Sequence, residues 1–77
     1  MPSDDTNRTI GQLCVGGDWA CADGDLETLG HIAGRLATYA DEPLHCRLVD
    51  LADLCRSDPT RAITVWMQLK EQIQRDR

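Results

Sequence analysis

The sequence contains no phenylalanine, and its only large aromatic residues, Trp19, Tyr39 and Trp66, make up 4% of the 77 positions. So few bulky side chains leave little with which to fill an interior. A lone domain of this size buries only about 60% of the surface its unfolded chain exposes, so its own core should be marginal and a partner surface would make up the deficit. Clustered positive charge is missing as well. The formal charge is −5, with eleven acids against four arginines over residues 1–58 and four bases against two acids over residues 59–77. Phosphate recognition needs Lys and Arg gathered on one face. A thin basic scatter along the last segment does not supply that, so nucleic acid is not an expected partner.

Long apolar runs are absent: nowhere do about 18 apolar residues occur together. The N-terminal "MPSDDTNRT" has neither a basic region nor an apolar stretch of the kind that directs export. The expectation is a soluble, cytoplasmic chain with no membrane contact. In that setting the Asn7-Arg8-Thr9 sequon has no meaning, and Cys14, Cys21, Cys46 and Cys55 are expected to be thiols.

Strand alternation longer than a few residues is lacking too, while the 3.6-residue period recurs, which predicts an all-α fold of three firm helices and a short N-terminal one. Asp25 can cap a helix from Leu26 whose apolar face carries Leu29, Ile32, Ala33, Leu36 and Ala40, with Glu27, His31, Arg35 and Thr38 opposite. Gly30 and Gly34 give that helix a small-residue edge suited to close packing. Asp41-Glu42-Pro43 stops it and starts the next, whose buried stripe is Leu44, Leu48, Leu51, Ala52 and Cys55, with Cys46 almost opposite and Val49 off to one side. Asp58 as cap and Pro59 at the first helical position open a last helix to about Gln74, with Ala62, Val65, Trp66, Leu69 and Ile73 as its core stripe. Ile63 and Met67 widen its apolar arc to roughly 200°, more than one neighbour covers. That surplus marks a candidate partner surface.

Upstream, Ile10, Leu13 and Cys14 are spaced for a two-turn helix from about Thr6, closed by Gly16-Gly17. A short strand over "TIGQLCV" is the alternative, and residues 1–5 are expected to be disordered ahead of a single domain spanning 6–77. "GGDWACADGD", residues 16–25, then reads as two turns and a cap, with Trp19 as an apolar anchor.

Chemistry finds little to stand on. As a calcium loop, "GGDWACADGD" puts Trp19 and Cys21 where oxygen ligands are required. Four cysteines with His31 and His45 supply enough ligands for zinc, but structural sites begin with ligands two to four residues apart and no such pair exists here. Cys55 reads as a small core residue. Cys46, exposed near a helix start, is the residue in which a lowered pKa and redox reactivity would be sought. His31 sits at i, i+4 spacing from Glu27 and Arg35, a salt-bridged solvent face. Neither histidine has a nucleophile placed for a triad, and no phosphate-binding loop is present. The chain is therefore read as non-enzymatic, with no cofactor and no metal.

The helices pair as two antiparallel hairpins, about 6–15 with 26–40 and 43–56 with 59–75, and "LCVGGDWA" echoes "LCRSDPTRA" where each closes a helix. The second hairpin, "LVDLADLCRSDPTRAITVWMQL", has the small-residue and turn placement of a degenerate tetratricopeptide repeat. Over residues 9–73 the order "CVGGDWAC", "IAGRL", "ADEP", "RLVDLADL", "SDPTRAI" resembles the small tetratricopeptide-like chaperones that hold the needle subunit of bacterial type III secretion before export. Longer members continue with more helix after the second hairpin. The resemblance implies a helical-repeat body that works beside a second small chaperone and covers the amphipathic C-terminal helix of the needle subunit, preventing its polymerisation in the cytosol. It carries over no catalytic or metal residue. As a binding module in a hetero-oligomer, the chain would present Val49, Ile63, Trp66 and Met67 in an apolar groove between the hairpins, with Lys70 at the rim. Alternatively the same residues pack the domain's own core or a homodimer. The rival classes are a small thiol or zinc regulator acting through Cys14, Cys21 and Cys46, and a helical adaptor unrelated to secretion.

Overall fold

A computed structural model describes residues 4–76 and shows four α-helices: α1 (Asp4–Asp23), α2 (Leu26–Ala37), α3 (Leu44–Ser57) and α4 (Pro59–Asp76). The protein is all-α, and its helices turn back on one another as hairpins. α2 and α3 share the broadest interface, α1 packs on α2 and α3 on α4, and a narrow seam joins α1 to α4. The radius of gyration, 11.4 Å, is close to the ~11.5 Å expected of a compact chain of this length. All four helices therefore belong to one body.

Local chemistry explains three of the helix starts and stops. Asp25 caps α2, accepting the Thr28 amide at Oδ1 (3.2 Å) and the Thr28 hydroxyl at Oδ2 (2.6 Å). Asp58 caps α4, its Oδ1 accepting the Arg61 amide at 3.3 Å while Pro59 occupies the first turn, where a missing N–H costs nothing. α3 begins at Leu44 behind Pro43, which makes no side-chain cap, and the α2–α3 corner is closed instead by His45, whose Nδ1–H donates to the Ala37 carbonyl at 2.7 Å. The expected core stripes are in place: Leu29, Ile32, Ala33 and Leu36 from α2, Leu48, Leu51 and Cys55 from α3, and Ala62, Trp66, Leu69 and Ile73 from α4 are all buried.

The first helix is where the sequence reading is corrected. It is a single 20-residue helix, neither two turns nor a strand, and it runs straight through Gly16-Gly17. Asp4 and Asp5, expected to be disordered, form its first turn, and residues 1–3 lie outside the described residues. The glycine pair is the place where α1 is crossed by both neighbours. A Cβ on Gly16 would meet Ile32 Cδ1 of α2 at 3.2 Å, and one on Gly17 would overlap the Trp66 indole of α4, 2.6 Å from Cη2 and closer still to Cζ2. Each interior glycine costs a helix about 1 kcal/mol relative to alanine, but burying an indole against the bare backbone recovers more, on the order of 3 kcal/mol.

The stop lies at Gly24, with φ +71°. There the Asp25 amide donates to the Ala20 carbonyl (2.8 Å) and the Gly24 amide to that of Cys21 (3.2 Å), the paired bonds of a Schellman closure. Most of "GGDWACADGD" is thus helix, and only its last residues turn. Nor do Gly30 and Gly34 form a close-packed edge: a Cβ on Gly34 meets nothing within 4 Å, and one on Gly30 makes ordinary contact with Ala52 and Cys55.

Candidate partner-binding surfaces

The residues expected to form the partner groove are dispersed. Trp66 is fully buried and is the largest of the buried side chains. Its assignment to a partner surface is corrected: the glycine at position 17 lets the ring sink between α1 and α4. The indole N–H donates to Asp18 Oδ1 at 3.0 Å, so the polar end of the ring is satisfied within the chain. Lys70 is drawn into the same seam, its ammonium 3.0 Å from both Asp18 oxygens. It ties α4 to α1, which leaves it committed within the chain where a rim contact was expected.

Met67 is 60% exposed, and Ile63 is half-buried one turn before it. Val49 is exposed on α3. These do not make one groove. α4 turns Trp66 and Lys70 toward α1 and lines a cleft with α3 through Val65 and Leu69, so Met67, one residue past Trp66, falls on the α1 flank. α3 meets α2 through Ala52 and Cys55 beside Gly30, and Val49 falls on that flank.

Two other features emerge. The first is a stripe on the outside of α1. Gly17, Cys14 and Ala20 face inward, which sends Val15 and Trp19, one turn apart, in the opposite direction. Trp19 is 67% exposed, against the expectation that it would anchor a turn. Its misplacement follows from the misread helix, because a residue in a turn has no assigned face whereas one in α1 is two steps beyond the inward Gly17.

The second is a groove at the end of the bundle where α1 starts, α2 ends, α3 starts and α4 ends, with a volume of about 540 Å³. Ile10, Leu36, Leu44, Leu48 and Ile73 floor it, Tyr39 stands at the side, and Asp41 and Glu42 stand on the α2–α3 link. The sequence signal for it is the run "LATYADEPL", an apolar stripe broken by acids, which reads only as a helix boundary until α1 and α4 are brought against it. Between α3 and α4 lies a further cleft, lined largely by polar and charged side chains including Arg47, Asp50, Asp53 and Arg61.

Three of the four thiols are pushed toward the protonated form. No disulfide joins the four cysteines. Cys46 is exposed, but the Glu42 carboxylate accepts its hydrogen and pushes the thiol pKa up, aided by slight desolvation and by Asp50; the lowered value sought for redox chemistry is not what the site produces. Burial raises Cys55, and burial together with the Asp18 charge raises Cys21. Among the described residues no three His, Cys, Asp or Glu side chains are grouped to hold a metal ion. No helix among them is long and apolar enough to cross a membrane.

Comparison of the chain with protein-family models, with curated proteins and with solved structures finds no match in any of the three.

Proposed function

We propose that the chain is a non-enzymatic protein-binding module, and more specifically a cytoplasmic chaperone or co-chaperone that covers an amphipathic helix of a needle-type secreted subunit beside a second small chaperone. One observation carries the binding-module reading. The bundle leaves Val15 and Trp19 side by side on the outer face of α1, and a tryptophan two-thirds exposed (67%) is a costly thing for a chain with so few aromatics to leave in water. Tryptophan is also among the side chains most often found at the centre of protein interfaces. The resemblance over residues 9–73 supports the secretion assignment, with helix-on-helix capture as the mechanism. The raised Cys46, Cys21 and Cys55 pKa values weigh against the thiol-regulator alternative.

The test is co-expression with a needle-type subunit and its second chaperone, followed by the solution mass of the purified complex. A stable low-order hetero-oligomer is expected, and Val15→Asp with Trp19→Ala should abolish it while leaving the helical circular dichroism of the free chain unchanged. A complex that forms equally well with the double variant would remove the α1 stripe from the interface. No complex with any needle-type subunit, together with capture of a different helical protein, would turn the reading to a general helical adaptor.

A further inference from the structure

The end groove is separate from the α1 stripe. Leu36, Leu48 and Ile73 are buried at its base, and Leu44 and Ile10 are half-buried beside them, so the floor is part of the domain's core reached from outside. Tyr39 is 44% exposed, a large apolar ring standing beside an apolar floor. Among the described residues the only charged groups lining the groove are two acids, Asp41 and Glu42. Two cations of the neighbouring helices already have partners: Arg75 pairs with Glu71 at 3.0 Å, and Arg47 donates to the groove-lining Gln72 at Oε1, 3.1 Å away. An apolar hollow of this volume lies within the range of sites that take ligands or side chains of a partner. Its acids specify the sign of what sits beside the apolar group.

We propose that this groove is a docking site for a short segment of a partner protein in which an apolar side chain enters the hollow and a Lys or Arg on the same face meets Asp41 and Glu42. In a helical segment the two would stand three or four residues apart, the spacing that places side chains on one face. The assignment rests on charge complementarity and shape alone, and it holds whichever protein covers the α1 stripe. The acids select against anionic segments as much as they favour cationic ones, since a like charge brought to the rim is repelled.

Two synthetic peptides with blocked ends and the same leucine pattern test it, one carrying Lys and the other Glu at the positions beside the leucines. Fluorescence polarisation of each, labelled, against the full chain at low salt should show the Lys peptide binding about tenfold tighter, the scale of two exposed ion pairs. The Asp41→Asn, Glu42→Gln double variant should erase that preference while retaining weak apolar binding, and Tyr39→Lys should weaken the Lys peptide further by placing a cation at the rim. Both changes are at exposed positions, and circular dichroism checks that each variant is folded. Methyl resonances of Leu36, Leu44 and Ile73 should shift on binding. Equal affinity for the two peptides, a Lys preference that survives in the double variant, shifts confined to Val15 and the Trp19 ring, or no binding of either peptide would each overturn the proposal.

Discussion

Glycine means different things at different positions of this chain, and the differences can be measured. Gly17 is the seat of the Trp66 ring, so Gly17→Ala sets the gain in helix propensity against an overlap with a fully buried indole that has nowhere to retreat. The overlap wins, and the variant should lose about 2 kcal/mol of stability. Gly34 is exposed mid-helix with open space around it, and Gly34→Ala should raise stability by about 0.5–1 kcal/mol. Urea midpoints followed by far-ultraviolet circular dichroism report both signs. Asp18 permits a similar contrast. Asp18→Asn keeps an acceptor for the Trp66 indole and loses only the part-exposed Lys70 pair, a change within about 1 kcal/mol. Asp18→Ala strands the indole N–H as well, and should cost about 1–2 kcal/mol by the same measurement.

Individual helices were legible in the sequence wherever their limits are set locally. Asp25 and Asp58 announce their helices because a carboxylate followed by free amides acts within one turn, and α2, α3 and α4 follow with their stripes as expected. Helix α1 was not legible in this way. By every local rule a glycine pair after a short apolar stripe is a stop, and what overrides the rule is a tryptophan 49 positions away in sequence that needs a surface without side chains. The cap at Asp25 also gives α2 a pH dependence. Hydrogen bonds from the Thr28 side chain and amide hold the Asp25 carboxyl below its ordinary value, so it contributes stability above the unfolded carboxylate pKa of about 3.9 and loses that contribution as the pH falls through the lower folded value. Asp25→Ala should therefore be less stable than the parent chain at neutral pH, with the gap between the two narrowing as the pH falls through the lowered folded value of the Asp25 carboxyl. Thermal midpoints of the two chains from neutral into the acid range test the narrowing.

At the scale of the whole molecule, an amphipathic pattern shows how much apolar surface a helix has but not which neighbour takes it. The apolar arc of α4 was legible, and part of it, Met67, does face solvent. Its largest member, Trp66, belongs both to the core stripe and to the candidate groove in the sequence, and only the core role holds, because a chain read with a short first helix has nothing to cover that side of α4. The end groove was illegible for the same reason: four separate helix ends contribute to it. The disposition of the two tryptophans has a practical consequence. One indole is sealed in the core and the other stands in water, so the chain carries two intrinsic fluorophores in opposite environments. Emission from Trp66 should fall at short wavelength, resist quenching by iodide and move when the α1–α4 seam opens. Emission from Trp19, 67% exposed, should fall at long wavelength, be quenched freely and blue-shift on any docking that covers α1. A single unlabelled sample would therefore distinguish unfolding from docking by the colour of its light.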